Sequence, residues 1–257
     1  LATDAVIGAN ASPSMPGTAY VLFHHVMGEC NGVRGVWGYM RGGMGGLTQS
    51  LAKSCESLNV DIFTGTGISN IPVKNGRATG IVTESGNEYD SRVVVSGADC
   101  NITFLRLIDP QHLPDEFLRD VKRINYDSAS VKINLATNAL PEFTAKPGPG
   151  EWLNGTIHIC PDMQYIEDAY SDSVAGRPSR KPIIEMTIPS KLDETLAPEG
   201  KYVINLFTQY GPYNLREGLS WETEREAYAN RIIDILCDYA PNMKKSIIHR
   251  QVLTPVD

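Results

Sequence analysis

Residues 181–210 read KPIIEMTIPSKLDETLAPEGKYVINLFTQY and contain two runs that are rich in β-branched and aromatic residues. Runs of this composition are typical of β-strands, so residues 182–190 and 201–210 are predicted to be strands. Upstream, SASVKINLAT (128–137) and GTIHIC (155–160) have the same character and predict two further strands.

Helical segments are predicted between and after these strands. PDMQYIEDAYSDSVAG (161–176) ends in a glycine, as helices often do. SWETEREAYANRIIDILCDYAP (220–241) is the longest helical segment, and Pro241 ends it. LPDEFLRDVKRI (113–124) has Pro114 and two acidic residues at its start, which favours a helix N-terminus. The predicted fold class is therefore α/β, of the mixed α+β kind, with a mixed sheet flanked by helices.

A block of short extended units precedes this part of the chain. Between Val60 and Asp99, hairpin signals occur at Asn75-Gly76 and at ESGN (84–87). The block ends in Val93–Val95, and an apolar run of this kind predicts a strand that is buried on both faces. The segment TAYVLFHHVM (18–27) is consistent with a buried strand or a helix, and its periodicity does not decide between them.

A glycine cluster, GGMGG, lies at residues 42–46 and leads into a predicted amphipathic helix with Asn59 as its stop. Counting G-x-G-x-x-G from Gly43 reaches Thr48, and no Gly-Lys-Ser/Thr follows. The cluster therefore does not match either standard phosphate-binding pattern. Close packing of a helix on a sheet is the alternative use of such glycines.

Composition excludes several classes of function. The chain has 257 residues, a formal net charge of −7 and a pI near 5.3, which argues against a nucleic-acid partner. No apolar run is long enough to predict a transmembrane helix, although peripheral membrane contact stays open. The five scattered cysteines include no C-x-x-C pair. Because the chain begins with Leu1, we expect it to be an interior piece of a longer protein, with any targeting segment outside it.

Four stretches in order carry a resemblance to a known family: HHVMGE (24–29), GVWGYMRGGMGGLTQSLA (35–52), residues 62–99, and LFTQYGPYNLREG (206–218). Together they resemble phytoene desaturase-like flavoproteins. The resemblance implies a domain organisation in which residues 1–34 begin the substrate domain. Residues 35–100 then contain the glycine turn and hairpin block of the FAD-binding domain, and residues 101–257 form the substrate-binding domain.

The resemblance also implies a function. Such enzymes are FAD-dependent oxidoreductases, here expected to transfer a hydride from an apolar or amine-type small-molecule substrate to FAD. The alternative is a non-catalytic binding or scaffold module that retains the fold. FAD is expected in the full-length protein but not on this chain, which lacks the G-x-G-x-x-G fingerprint and the family's C-terminal glycine-rich segment. Location is expected to be mitochondrial in a eukaryotic source and otherwise cytoplasmic.

Site residues are assigned by the same resemblance. The backbone of Ile68 and the Gly97-Ala98 pair are expected to contact FAD, while the glycine turn, with Gly43 and Gly45, faces the flavin. The expected substrate-pocket residues are Met40, Arg41, Met44 and Tyr210. Core packing is the alternative for Ile68 and Tyr210. No catalytic residue is assigned and no metal site is expected, because His24 and His25 are adjacent in an apolar run and His158 lies between isoleucines.

Overall fold

The computed structural model describes residues 2–257. The helices are α1 (Thr18–Val26), α2 (Met44–Ser57), α3 (Cys100–Ile102, continued by a π-helical turn at Thr103–Leu107), α4 (Asp115–Arg123), α5 (Met163–Val174), α6 (Trp221–Tyr239) and α7 (Met243–Ser246). The strands are β1 (Glu29–Cys30), β2 (Val33–Arg34), β3 (Ile68–Asn70), β4 (Val73–Lys74), β5 (Arg77–Ala78), β6 (Gly80–Thr83), β7 (Glu88–Asp90), β8 (Ser130–Thr137), β9 (Ile157–Ile159), β10 (Ile183–Thr187), β11 (Tyr202–Gln209) and β12 (Ile247–Leu253).

The chain divides into two compact units. Unit 1 combines the residues up to Gln49 with Asp127–Asp257, and unit 2 is Ser50–Tyr126. These limits differ from the sequence-based boundaries at residues 34 and 100. One reason is that the Ile71 N–H donates to the Leu107 carbonyl at 2.7 Å, which ties the segment after residue 100 to the hairpin block.

Unit 1 is built on a five-stranded sheet in the order β12-β8-β11-β10-β9. Every neighbouring pair in it is antiparallel. The predicted fold class, helices flanking a sheet, is confirmed, although the sheet predicted to be mixed is antiparallel throughout. The strands predicted at 128–137, 155–160, 182–190 and 201–210 are all present.

One face of this sheet is sealed by α6. Strand residues alternate between faces, so every second side chain points toward the helix. These side chains form the main core with the apolar stripe of α6, and nearly all are fully buried: Val131, Ile133, Leu135, Ile184, Met186, Ile204, Leu206, Tyr228, Ile232 and Leu236. The helix starts at Ser220, whose side chain accepts from the Thr223 N–H.

The opposite face is covered at one end only. Gln209 is buried there, and its side chain holds the N-terminal segment: it accepts from the Gly8 N–H at 2.7 Å and donates to the carbonyls of Val6 and Ala9. The Tyr210 hydroxyl donates to the Ala11 carbonyl at 2.6 Å. A second core cluster forms at this end, with α5 contributing Ile166 and Ala169: Val6, Ala129, Ile166, Ala169, Ile183 and Tyr210. The remainder of the face stays open.

Unit 2 contains the hairpin block. Strands β3, β6 and β7 form an antiparallel sheet, and β4 and β5 form a separate hairpin. The predicted turn at Asn75-Gly76 is confirmed, since both residues have positive φ angles of 52° and 73°. A glycine also provides the positive φ of the second predicted turn, at Gly86.

Two expectations about local structure are resolved by the fold. The undecided segment at 18–27 is the helix α1. The prediction of a doubly buried strand at Val93–Val95 is wrong for the described chain, where these residues form no strand and Val93 and Val95 are 71% and 90% exposed. An apolar run predicts that its side chains are buried, but it does not show which part of the protein covers them.

Candidate functional site

A cavity of about 530 Å³ lies in unit 1 over the open face of the five-stranded sheet. The strands β8, β10 and β11 provide its floor through Lys132, Glu185, Thr187, Val203, Asn205 and Phe207. The segment before and within the glycine cluster provides an opposite wall, and this wall is largely aromatic and thioether in character: Trp37, Gly38, Tyr39, Met40, Gly43 and Met44. Concave, mostly apolar sites with a few polar groups are the usual form of small-molecule sites.

Within unit 1, the glycine cluster is held by the carboxylate of Asp193. The Gly42 N–H donates to Asp193 Oδ2 at 2.6 Å, and Asp193 Oδ1 accepts from the hydroxyl and N–H of Thr195. Hydrogen bonds from the Thr195 side chain and the Gly42 backbone hold the pKa of Asp193 below its usual range. Gly42 and Gly43 have φ angles of 82° and 79°, so the turn before α2 uses the left-handed region that glycine tolerates.

A histidine and two carboxylates meet at one end of the cavity. His158 and Glu185 are directly opposite each other on β9 and β10, and His158 Nε2 lies 3.0 Å from Glu185 Oε2. Asp4 Oδ1 is 3.9 Å from the same nitrogen. The side chains of His158 and Glu185 are 25% and 21% exposed, and Glu185 and Asp4 line the cavity. The three donor atoms lie within 4.8 Å of one another, a set that could hold a divalent cation.

The predicted site residues of unit 1 have different surroundings. Met40, Gly43 and Met44 line the cavity. Arg41 lines a separate groove beside Asp193. Gly45 lies in the first turn of α2 with open space where a side chain would be. Tyr210 is fully buried outside the cavity, where its hydroxyl anchors the N-terminal segment.

The other three predicted residues belong to unit 2. Ile68 begins β3 and pairs with Thr83 of β6. Gly97 and Ala98 are exposed just before α3, and a side chain at Gly97 would meet no atom within 4 Å. Their contact with FAD stays a prediction.

Sequence reasoning missed Lys132 and Glu185 of the cavity and the contact that Glu185 makes with His158. Lys132, His158 and Glu185 come from three separate strands, and only the register brings them into one row across the sheet, in the order His158, Glu185, Phe207, Lys132. A usable signal was present, because Lys132 and Glu185 each lie between two buried apolar residues of a strand.

The comparisons with known proteins agree with this architecture. No protein-family model matches the chain. Pyridine nucleotide-disulfide oxidoreductase domain-containing protein 2 of Mus musculus is 44% identical over 265 residues, covering all of this chain and 46% of the relative. The predicted resemblance is confirmed. The neurosporene-forming phytoene desaturase of Cereibacter sphaeroides is 24% identical, over 84% of this chain and 40% of the relative.

The solved structures support the fold. An oxidoreductase from Methanosarcina mazei superposes with a TM-score of 0.57 at 20% identity, over 83% of this chain and 43% of that one. The chain spans about half the length of the curated relatives that it matches. Among residues 2–257, no helix combines the length and the apolar character needed to cross a bilayer.

Proposed function

We propose that this chain supplies the substrate-binding part of an FAD-dependent oxidoreductase that takes a hydride from an apolar or amine-type substrate. The observation that carries the proposal is the cavity over the open sheet face, with a rigid floor of three strands and a wall formed by the glycine turn. Bound FAD would accept the hydride. The residues of this chain would bind the substrate, orient it and exclude water.

The residues expected to contact FAD are suited to binding the cofactor through their backbone atoms. Gly97 and Ala98 are exposed with no side-chain obstruction at Gly97, and the apolar Val93 and Val95 leading to them are uncovered. A surface of this kind suits a flat, partly apolar group, so Ile68, Gly97 and Ala98 are proposed to hold FAD through their backbone atoms. Gly43, in the turn before α2, and Gly45, in the first turn of that helix, are proposed to leave room for FAD because neither has a side chain.

The test uses the complete protein in which this sequence occurs, together with the 257-residue chain alone. We expect the complete protein to be purified with FAD, identified by its absorbance and by chromatography after denaturation. Anaerobic addition of a substrate should bleach that absorbance. The chain alone should bind FAD weakly or not at all, because it carries no G-x-G-x-x-G helix start for the pyrophosphate.

The alternative, a binding or scaffold module without catalysis, predicts a different result. The complete protein would then fold without flavin, and added FAD would not be retained through gel filtration. A flavin-free, well-folded complete protein would therefore overturn the proposed oxidoreductase activity.

A further inference from the structure

The charges around the cavity are distributed unevenly. Two carboxylates, Asp4 and Glu185, and one ammonium, Lys132, are among its lining groups. The carboxylates converge on His158, whereas Lys132 lies on the far side of Phe207 in the same row. Adjacent strands are about 4.8 Å apart, so the backbone positions of Glu185 and Lys132 are separated by about 10 Å. The cavity floor therefore has an acidic end and a basic end.

Aromatic rings lie close to the acidic end. Phe207 is the direct cross-strand neighbour of Glu185, and Trp37 and Tyr39 line the opposite wall. The face of an aromatic ring attracts cations, and rings combined with a carboxylate are a recurring means of binding organic ammonium groups. A neutral hydrocarbon would gain nothing from the carboxylates, and it would have to cover them without supplying a hydrogen bond.

We propose that the cavity binds an amine in its protonated form, with the ammonium at the Glu185–His158 end and the apolar body between Phe207 and the wall at Trp37 and Tyr39. The inference rests on the proposed function, in that it takes this cavity to be the substrate site. Lys132 repels the ammonium from the other end, which gives the ligand one preferred direction. The Glu185 carboxylate keeps lone pairs available beyond the one that faces His158, so it can accept from an ammonium as well.

The test compares three probes of equal length on the 257-residue chain by isothermal titration calorimetry: octylamine, octanol and octanoate. The buffer contains EDTA, because His158, Asp4 and Glu185 could otherwise take up a divalent cation. We expect octylamine to bind about tenfold or more tightly than octanol, since a charge-assisted hydrogen bond replaces a neutral one. Octanoate should bind most weakly.

Matched variants locate the ammonium. Glu185→Gln keeps the size of the side chain, and we expect it to remove about tenfold of octylamine affinity while leaving octanol unchanged. Glu199→Gln makes the same change of charge on an exposed loop away from the cavity and should have no effect. Lys132→Met should leave octylamine binding equal or slightly tighter.

Several results would overturn the proposal. These are octanol or octanoate binding as tightly as octylamine, absence of binding by all three probes, or equal effects of Glu185→Gln and Glu199→Gln. If Glu185→Gln does not fold by circular dichroism, the ranking of the three probes on the unmodified chain still decides. Flavin content of the complete protein is measured separately, so a flavoprotein that does not prefer the amine refutes this inference and leaves the proposed oxidoreductase function standing.

Discussion

The two faces of the five-stranded sheet carry opposite kinds of residue on the same strands. Leu206 is fully buried under α6, while its neighbour Phe207 lies on the cavity floor. The same alternation separates Ile133 from Lys132 and Met186 from Glu185. The side chains of the sealed face are buried and mostly apolar, whereas those of the open face are partly exposed and include charged groups in register. One strand can therefore contribute to stability and to a binding site at alternate positions.

The largest loss of stability is expected from a substitution in the core under α6. Leu206→Ala removes a side chain packed between the sheet and α6, and we expect unfolding free energy to fall by about 2–5 kcal/mol. Phe207→Ala is the matched change on the other face and should cost less, because its ring is partly exposed to the cavity. Urea unfolding measures both. Equal losses would mean that the cavity floor is packed as tightly as the core.

A smaller loss of stability is expected from a substitution in the glycine turn, which forms a wall of the cavity over the open face. Gly43→Ala places a side chain at a φ of 79°, which costs about 1–2 kcal/mol. The backbone conformation causes this cost, because the new carbon would lie 3.6 Å from Leu196 Cδ2, an ordinary contact. Gly45→Ala is the control, since it has open space within α2 and alanine favours helix. If Gly43→Ala is as stable in urea as Gly45→Ala, the positive φ at Gly43 does not make a side chain costly there.

The stability contributed by Asp172, at the covered end of the open face, should depend on pH. Asp172 on α5 is buried, which by itself would raise its pKa, but hydrogen bonds from Arg180 and Arg177 hold the pKa below the usual 3.8. A carboxylate with a lowered folded-state pKa contributes stability above its unfolded pKa and loses that contribution as pH falls through the folded value.

We therefore expect Asp172→Asn to be less stable than the unmodified chain at pH 7, with the difference narrowing below about pH 4. Asp168→Asn, an exposed change on the same helix, is the control. Unfolding free energy of all three proteins from neutral to acid pH gives the comparison. A difference that stays constant with pH would show that Asp172 acts through packing rather than charge.

The same contrast explains how much could be predicted from the sequence. The helix α6 on the sealed face and the Asn75-Gly76 turn of unit 2 were predicted, because apolar periodicity and turn residues are local signals. The site was harder, because the row of His158, Glu185 and Lys132 depends on long-range register. Tyr210 illustrates the limit: its aromatic position near a strand end suggested a cavity wall, yet its hydroxyl reaches the Ala11 carbonyl, a partner that is 199 residues away.

The smallest expected effect concerns the attachment of the glycine turn to Asp193. Each carboxylate oxygen has its own partners, with Oδ2 accepting from Gly42 and Oδ1 from Thr195. Asp193→Asn can keep the oxygen that faces Thr195, but it then places an amide group opposite the Gly42 N–H, so that one hydrogen bond is lost.

The melting temperature of Asp193→Asn should change little, since no core side chain is removed. Hydrogen exchange at residues 37–46 should accelerate, and octylamine affinity should fall about twofold to fivefold because the cavity wall is less ordered. Thr195→Val removes only the hydroxyl donor and serves as the control, with slow exchange retained at Gly42. Unchanged exchange in Asp193→Asn would show that packing against the cavity wall, and not this carboxylate, holds the turn in place.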